Sequence, residues 1–256
     1  MKNNLFFLGT GTSQGVPVIG CSCIVCKSND SKDCRLRSSV LIQLAEKKIL
    51  IDTGPDFRYQ ILRQDVQNID AVLYTHQHRD HVAGIDDLRS FYYLNKQPIS
   101  MFMTKQVYDA FKKDYSYLFS EKEYFGKPKL NVTIIDKSSP FHVFSNKIIP
   151  IEAMHYKLPV LGYRILDLAY LTDANYVHEK ELEKLKGLDV LIINCLQKKP
   201  HISHFNLDQV LELINFLKPR VSYLTHISHN LGLHNQIQKE LPKNVYLAFD
   251  QLKISF

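Results

Sequence analysis

Four side chains able to bind a metal ion follow one short apolar segment of this sequence. Residues 71–75 are mainly apolar and predict a buried β-strand. The next six residues contain His76, His78, Asp80 and His81. Imidazole and carboxylate groups are common ligands of Zn²⁺, Mn²⁺ and Fe²⁺, and sites in α/β folds lie where strands end. The sequence therefore predicts a metal site at the end of this strand.

Alternation along the strand is expected to put His76 and His78 on one face. Asp80 and His81 then lie past the strand, where they can turn toward a second ion. Three further β-rich or apolar segments each end in one possible ligand, and these are His155, Asp173 and His226. A lone histidine is more often an ordinary core or surface residue. We therefore interpret these three residues as metal ligands only because they complete the whole series.

Strand-like and helix-like segments alternate along the chain. Strands come partly as hairpin pairs and partly in β-helix-β order, which predicts mixed sheets with helices. Residues 142–153 and 162–172 are each interpreted as one β-rich run. Helical spacing of apolar residues predicts helices at 57–64, 85–93, 106–119, 178–185 and Leu207–Leu217. Without a visible repeat or linker, residues 1–256 are expected to form one domain.

Composition narrows the class of protein. Apolar residues make up 45% of the 256 residues and charged residues 23%, which excludes a disordered chain, a collagen-like chain and a membrane span. The first 13 residues contain one lysine and a short apolar run, unlike a signal peptide, so a cytoplasmic location is expected. The net charge of +6 is spread along the chain and suits a small anionic substrate as well as nucleic acid.

Three of the five cysteines lie within six residues, as Cys21, Cys23 and Cys26. In a cytoplasmic protein this spacing indicates metal binding rather than disulfides. Cys195 lies in an apolar run and is expected to be a buried core thiol. Residues 105–129, rich in tyrosine and lysine, are interpreted as an amphipathic surface helix with its loop, with a lid over the site as the alternative.

The complete ligand series resembles that of the metallo-β-lactamase superfamily, in the same order along the chain. The resemblance implies an αββα sandwich of two mixed β-sheets flanked by helices, with two divalent ions, zinc or manganese, at one edge. It assigns His76, His78 and His155 to the first ion. It assigns Asp80, His81 and His226 to the second ion. It further implies that Asp173 bridges the two ions.

Two further motifs resemble the branch of that superfamily with ribonuclease Z and the phosphoribosyl cyclic phosphate phosphodiesterase. One is the glycine-rich residues 8–17, where backbone amides can approach an anion. The other resembles a structural zinc site of the phosphodiesterase subfamily and comprises Cys21, Cys23, Cys26 and His229. Three thiolates and one imidazole make a closed tetrahedral site, which would fix the N-terminal loop beside the catalytic edge.

The same resemblance extends over residues 35–39, 52–58 and 84–89. Asp52 is expected to orient a ligand histidine, because metal-bound imidazoles usually donate their second N–H to a carboxylate or carbonyl. Four arginines in these segments could bind phosphate, although each is more often a structural ion-pair partner: Arg35, Arg37, Arg58 and Arg89.

The resemblance implies hydrolysis of a small cyclic or nucleotide-like phosphodiester by a metal-bound hydroxide, with no membrane partner and with a homodimer as one option for assembly. Asp80 and His204 are the expected catalytic residues, with His204 as proton donor ahead of the helix at Leu207–Leu217 and His201 as its rival. Alternatives are an RNA-processing nuclease, a thioester, lactone or β-lactam hydrolase, and a non-hydrolytic metal-binding protein. The absence of a long glycine-rich basic arm counts against the nuclease.

Overall fold

Two β-sheets face each other, and helices cover both outer faces. A computed structural model describes residues 3–120 and 126–256. Within these ranges the first sheet runs in the order β15-β1-β2-β3-β4-β5-β6. Its strands are β1 (Asn4–Gly9), β2 (Ser39–Leu44), β3 (Lys47–Ile51), β4 (Ala71–Leu73), β5 (Ile99–Met103), β6 (Leu130–Ile134) and β15 (Lys253–Ser255). Strands β3 to β6 are parallel to one another.

The second sheet runs in the order β11-β8-β9-β10-β12-β13-β14, with β7 paired to β8. Strands β10, β12, β13 and β14 are parallel neighbours. The strands are β7 (Phe141–Val143), β8 (Asn146–His155), β9 (Leu158–Ile165), β10 (Leu168–Leu171), β11 (Tyr176–Val177), β12 (Val190–Asn194), β13 (Val221–Thr225) and β14 (Val245–Leu247). Both sheets are therefore mixed, as the sequence predicts.

The helices connect these strands. They are α1 (Phe57–Arg63), α2 (Arg79–Val82), α3 (Arg89–Asn95), α4 (Lys105–Asp114), α5 (Ser116–Phe119), α6 (Glu179–Leu182), α7 (Leu207–Leu217) and α8 (His234–Glu240). Short 3₁₀ helices lie at Ser31–Asp33, Ile85–Leu88 and Glu183–Leu185. No helix within the described ranges is long and apolar enough to cross a membrane.

Alternate residues along the strands pack on opposite sides of each sheet. In β12, Val190 and Ile192 join the core between the sheets, whereas Leu191 and Ile193 pack against the helices outside. Tyr163 and other apolar residues of β9 and β10 complete the same inner core. This period of two in strands buried on both faces makes the four-layer αββα sandwich. The fold class implied by the sequence is confirmed.

Helix α7 shows how local sequence fixes an element near the site. Its buried residues Leu207, Val210, Ile214 and Leu217 recur at helical spacing and form one apolar face. Asn206 accepts a hydrogen bond from the Gln209 backbone N–H, and the Gln209 side chain accepts one from the Asn206 N–H. This capping box starts the helix at Leu207, three residues after His204.

Several predicted boundaries differ from the structure. Residues 142–153 and 162–172 each include a hairpin turn, so they contribute to two strands rather than to one. Residues 85–93 begin as a 3₁₀ helix before α3. Within residues 105–129 the amphipathic helix prediction is supported by α4, whose Phe111 packs edge-on against Tyr74 with ring centroids 4.8 Å apart. Residues 121–125 of that segment lie outside the described residues.

Candidate metal centre

The predicted ligands meet at one edge of the two sheets, where the parallel strands of both sheets end. Three overlapping groups have ligand atoms within 4.8 Å of one another. Asp173 belongs to all three groups, which is the position expected of a shared ligand. The groups are Asp80, His81, Asp173 and His226; His76, His78 and Asp173; and His155, Asp173 and His204.

The two carboxylate oxygens of Asp173 face different partners. Oδ2 lies 3.3 Å from Nε2 of His81 and 3.8 Å from Nε2 of His76. Oδ1 lies 3.0 Å from Nδ1 of His226. Oδ2 of Asp80 lies 3.3 Å from the same His81 Nε2. Carboxylate oxygens thus converge on imidazole nitrogens at separations that leave room for ions between them.

The pairing of His76 with His78 has a different cause from the one predicted. Their ring centroids lie 4.6 Å apart, but both residues follow β4 instead of continuing it. The strand ends because the backbone N–H of Thr75 donates to Oδ1 of Asp52 at 2.9 Å instead of to a neighbouring strand. The two imidazoles therefore come together in the irregular segment between β4 and α2, and not on the strand itself. Asp80 and His81 lie on α2.

Asp52 and Thr75 determine which ring nitrogens face the site. Nδ1 of His81 donates to Oδ2 of Asp52 at 2.7 Å, as expected of a residue orienting a ligand histidine. The Thr75 hydroxyl donates to the same carboxylate at 2.7 Å, so its oxygen can accept from Nδ1 of His76 at 2.9 Å. In the neutral form of each ring, the lone pair of Nε2 then faces the site and is free for a metal.

Three residues of this edge have left-handed backbone conformations. Asp52, Asp173 and His226 have φ values of 64°, 60° and 54°. A non-glycine residue in this region costs of the order of 1 kcal/mol or more and persists where the surrounding structure enforces it. Each lies within two residues of the end of β3, β10 or β13. The sharp change of direction turns each side chain from the strand toward the site.

The charges of the cluster favour a cation. Burial lowers the pKa of His81, but Asp173, Asp80 and Asp52 outweigh burial and raise this pKa well above its usual value. Burial also raises the pKa of Asp173, yet His226 and His81 outweigh it and hold this pKa well below its usual range. Within the described residues, the buried Nε2 atoms of His76 and His81 make no hydrogen bond. This donor set fits divalent metal ions.

His155 connects the cluster with His204. Nδ1 of His155 donates to the backbone oxygen of Ser203 at 2.8 Å, which leaves Nε2 for a metal. The His204 ring lies 4.6 Å from that of His155 and stacks on His226 at 4.8 Å. His201 is exposed, and its ring centroid lies 5.2 Å from that of His204. Of the two candidate proton donors, His204 is therefore the one in contact with the metal cluster.

A second cluster joins the N-terminal loop to the residues after β13. Nδ1 of His229 lies 3.3 Å, 3.4 Å and 3.3 Å from the Sγ atoms of Cys21, Cys23 and Cys26. A tetrahedral zinc ion with Zn–S of about 2.3 Å and Zn–N of about 2.1 Å separates sulfur and nitrogen by roughly 3.6 Å. One nitrogen nearly equidistant from three sulfurs fits this geometry. The backbone N–H of Cys26 donates to Sγ of Cys23 and lowers the pKa of the Cys23 thiol to about 6.

The four arginines have different surroundings, and one of them is an ion-pair partner, the role that the sequence interpretation favoured. Arg35 is buried and donates to Thr10 and to the Ala248 backbone oxygen. Arg37 pairs with Asp56 at 3.1 Å. Arg58 and Arg89 are exposed, on or beside the outer helices. Cys195 is a core thiol as predicted, and burial raises its pKa to about 12.

Two asparagines that the sequence interpretation did not identify hold the loop after Asp173. The buried side chain of Asn194 accepts from the Ala174 N–H at 2.8 Å and donates to its carbonyl oxygen at 3.0 Å. Asn175 bonds to two other loops. The one signal available for Asn194 is a polar residue that ends the apolar segment of β12.

Comparisons with known proteins agree with this fold and site. The family described as "Beta-lactamase superfamily domain" matches residues 47–227. The crystal structure of "a new diphosphatase from the PhnP family" superimposes with a TM-score of 0.94 at 37% identity, covering 100% of this chain and 98% of that one. The crystal structure of the short form of human tRNase Z has a TM-score of 0.72 at 18% identity, over 98% of both chains. This last likeness shows the fold alone.

A curated relative, the octanoyltransferase of Porphyromonas gingivalis (strain ATCC BAA-308 / W83), is 39% identical over 248 residues. The match covers 96% of this chain and 50% of that protein, so the chain spans about half the length of this relative. The chain belongs to the β-lactamase superfamily. Within it, the chain is similar in sequence and fold to the PhnP-family diphosphatase, and it shares the fold of human tRNase Z.

Proposed function

We propose that this chain hydrolyses a small phosphodiester with two divalent metal ions bound at the edge of the sandwich. The observation that carries the proposal is the position of Asp173, whose carboxylate lies 3.8 Å from Nε2 of His76 in one ligand set and 3.3 Å from Nε2 of His81 in the other. A shared carboxylate between two ligand sets is the arrangement of two-metal hydrolases. His76, His78 and His155 would hold one ion, and Asp80, His81 and His226 the other.

When bound, such ions supply Lewis acidity that activates a water and neutralises charge on the phosphoryl oxygens. The residues of the chain hold and orient the metal ligands. The carboxylate of Asp52 and the hydroxyl of Thr75 hold the rings of His81 and His76 in one tautomer. Burial of both rings excludes bulk water and strengthens charge interactions within the site. Asp80 would complete the second ion's ligand set and face the reacting water.

His204 would protonate the leaving oxygen. Burial, followed by the neighbouring His226, lowers the pKa of His204 to about 3, so the free imidazole is neutral. An anionic phosphodiester beside the ring raises that pKa, because a nearby negative charge favours the protonated form. Protonation of His204 is thereby coupled to substrate binding.

A diphosphate linkage is the second candidate substrate. The structure with a TM-score of 0.94 and 37% identity is a diphosphatase. A diphosphate ester and a phosphodiester both place a phosphorus between two bridging oxygens, and the same proton donor would serve either leaving group. We propose the phosphodiester first because the glycine-rich residues 8–17 and the cysteine motif resemble the phosphodiesterase branch.

The cysteine cluster is proposed to bind one zinc ion with a structural role. Its four ligands leave no open position for a water or a substrate. The loop bearing it is fixed to the site, because Thr12 donates its backbone N–H to Ile227, next to the ligand His226. A zinc ion here would hold Thr12 beside His226, where the Thr12 hydroxyl lies 3.3 Å from Nε2.

One assay tests the proposal. The metal-free protein is reconstituted separately with Mn²⁺ and with Zn²⁺ and offered bis-p-nitrophenyl phosphate, a ribose cyclic phosphate, a nucleoside diphosphate, a thioester and a β-lactam. Fastest turnover of a phosphodiester supports the first candidate, and fastest turnover of the nucleoside diphosphate supports the second. Faster turnover of the thioester or the β-lactam than of either phosphate ester would overturn both.

A further inference from the structure

The loop that carries His204 has a closed base and an exposed apex. At the base, the Leu196 N–H donates to the Phe205 carbonyl at 3.0 Å, and the Leu207 N–H donates to the Gln197 carbonyl at 2.9 Å. Residues 198–202 between these bonds are exposed. The apex has little burial of its own to hold it, so its position depends on contacts from other loops.

Within the described ranges, three side chains from elsewhere in the fold bond to residues 198–203, and one of them, Glu240 of α8, pairs with the Lys198 side chain at 2.6 Å. The other two bond to backbone carbonyls. One is the ligand His155, whose Nδ1 donates to the carbonyl of Ser203. The other is Asn175, whose Nδ2 donates to the carbonyl of Ile202 at 3.2 Å. Both ends of the Asn175 amide bond to protein backbone, at Tyr156 and Ile202. Unlike His155, Asn175 is therefore a contact to this loop that is not a predicted metal ligand.

Asn175 is itself fixed at both its backbone and its side chain. Its backbone N–H donates to the Met154 carbonyl of β8 at 2.8 Å. Its Oδ1 accepts the backbone N–H of Tyr156 at 2.7 Å. Tyr156 lies in the turn after His155 and has a left-handed φ of 57°. A single amide therefore connects the turn after a predicted ligand with the loop that bears the predicted proton donor.

We propose that Asn175 is a positioning residue that fixes the His204 loop against the turn following His155. The amide suits this role because one side chain supplies both an acceptor for Tyr156 and a donor for Ile202. The consequence for catalysis rests on the proposed function, in which His204 protonates the leaving oxygen. The structural role of Asn175 in connecting the two loops does not rest on the proposed function.

The kinetic test compares Asn175→Ala and Asn175→Asp with the wild-type enzyme after loading with Mn²⁺. Alanine removes both bonds, whereas aspartate keeps an acceptor for Tyr156 but presents an oxygen to the carbonyl of Ile202. Both variants are expected to retain the wild-type metal content. Turnover of an alkyl phosphodiester should fall about 10- to 100-fold, and turnover of a p-nitrophenyl ester less than about threefold, because the better leaving group scarcely needs a proton.

The matched control is Asn68→Ala. Asn68 is also a partly exposed asparagine with side-chain bonds, to Lys48 and Asp70, but it lies before β4 at the opposite end of the strand from His76. Loss of the Asn68 side chain should change the turnover of both esters equally and only slightly. Equal losses on the two esters in the Asn175 variants, or loss of catalytic metal, would overturn the positioning role.

A second measurement tests the role of Asn175 independently of the proposed function. Amide hydrogen exchange of Phe205 and Leu207, whose backbone N–H groups donate to the carbonyls of Ala174 and Gln197, should quicken at least about fivefold in both Asn175 variants, since loss of a stabilising contact favours local opening. Exchange of the β12 core should stay unchanged. Wild-type exchange at both amides would show that Asn175 does not hold the loop. If the wild-type enzyme hydrolyses no phosphodiester, the proposed function is wrong. The exchange result still shows whether Asn175 holds the His204 loop.

Discussion

Nδ1 of His81 lies 2.7 Å from Oδ2 of Asp52, and neither side chain is exposed to solvent. Asp52 also accepts two hydrogen bonds from Thr75. A buried carboxylate with three donors can hold an imidazole in one orientation, and it makes the ring a stronger metal ligand. Asp52, at the end of β3, therefore sets the orientation of His81 and contributes to the metal affinity of the whole site.

Asp52→Asn is expected to weaken catalytic metal binding about 10- to 100-fold. Asparagine has one acceptor oxygen, so either His81 or Thr75 would face an NH₂ group instead of a carboxylate oxygen. Metal titration followed by mass spectrometry measures the affinity. Asp109→Asn, at an exposed carboxylate on α4, serves as control and should bind metal as the wild type does. Unchanged affinity in Asp52→Asn would show that the pair has no such effect.

Asp173→Asn and Asp80→Asn should differ in how many ions they lose. Asp173 faces both ligand groups, whereas Asp80 faces one. We expect Asp173→Asn to lose most of both catalytic ions and Asp80→Asn to retain the ion held by His76, His78 and His155. A metal-loaded crystal of the wild type should show two ions about 3.5–4 Å apart. Loss of a single ion from Asp173→Asn would contradict the shared role.

His204→Ala should retain both catalytic ions and lose about 10²–10⁴-fold in turnover of an alkyl phosphodiester. The loss on a p-nitrophenyl ester should be much smaller, because that leaving group needs no proton. His201→Ala is the matched comparison, since His201 lies three residues earlier in the same loop and is exposed. A larger effect in His201→Ala would reverse the assignment of proton donor.

Cys23→Ser should remove one zinc ion and lower stability more than turnover. Since a closed zinc site couples to folding, we expect a loss of at least about 2 kcal/mol, or roughly 4–8 °C in Tm for a chain of this size. Turnover per folded molecule should change less than about twofold. Cys34→Ser changes an exposed cysteine outside the cluster and should leave both zinc content and Tm as in the wild type. Unchanged zinc in Cys23→Ser would contradict the structural site.

Binding of a catalytic metal should release protons near neutral pH. His81 carries a proton below its raised pKa, and a metal ion must displace that proton. Affinity for metal should therefore rise as pH increases toward that pKa. Calorimetric titration of zinc-preloaded protein with Mn²⁺ at pH 7, in two buffers of different ionisation enthalpy, should give heats whose difference corresponds to the release of about one proton, at the ion site that contains His81. Equal heats in the two buffers would contradict the raised pKa of His81.

The residue types of the site could be predicted from the sequence more fully than its backbone. Histidine and aspartate at the ends of apolar segments indicated side chains that the structure brings together, and the apolar spacing of α7 predicted its observed bounds. The end of β4 could not be predicted, because Asp52 takes the Thr75 N–H from 23 residues away. Asn175 was missed for the same reason. An asparagine in a loop gives no local indication of which distant backbone groups it will bind.

The contact between Thr12 and His226 joins residues that are 214 positions apart in the chain. Pairings at such sequence separation carry a large loop-closure entropy and generally form late in folding. Ions that bind only the complete edge stabilise the fully folded state by mass action. Retention of catalytic metal would therefore report whether the strand ends of the two sheets have come together.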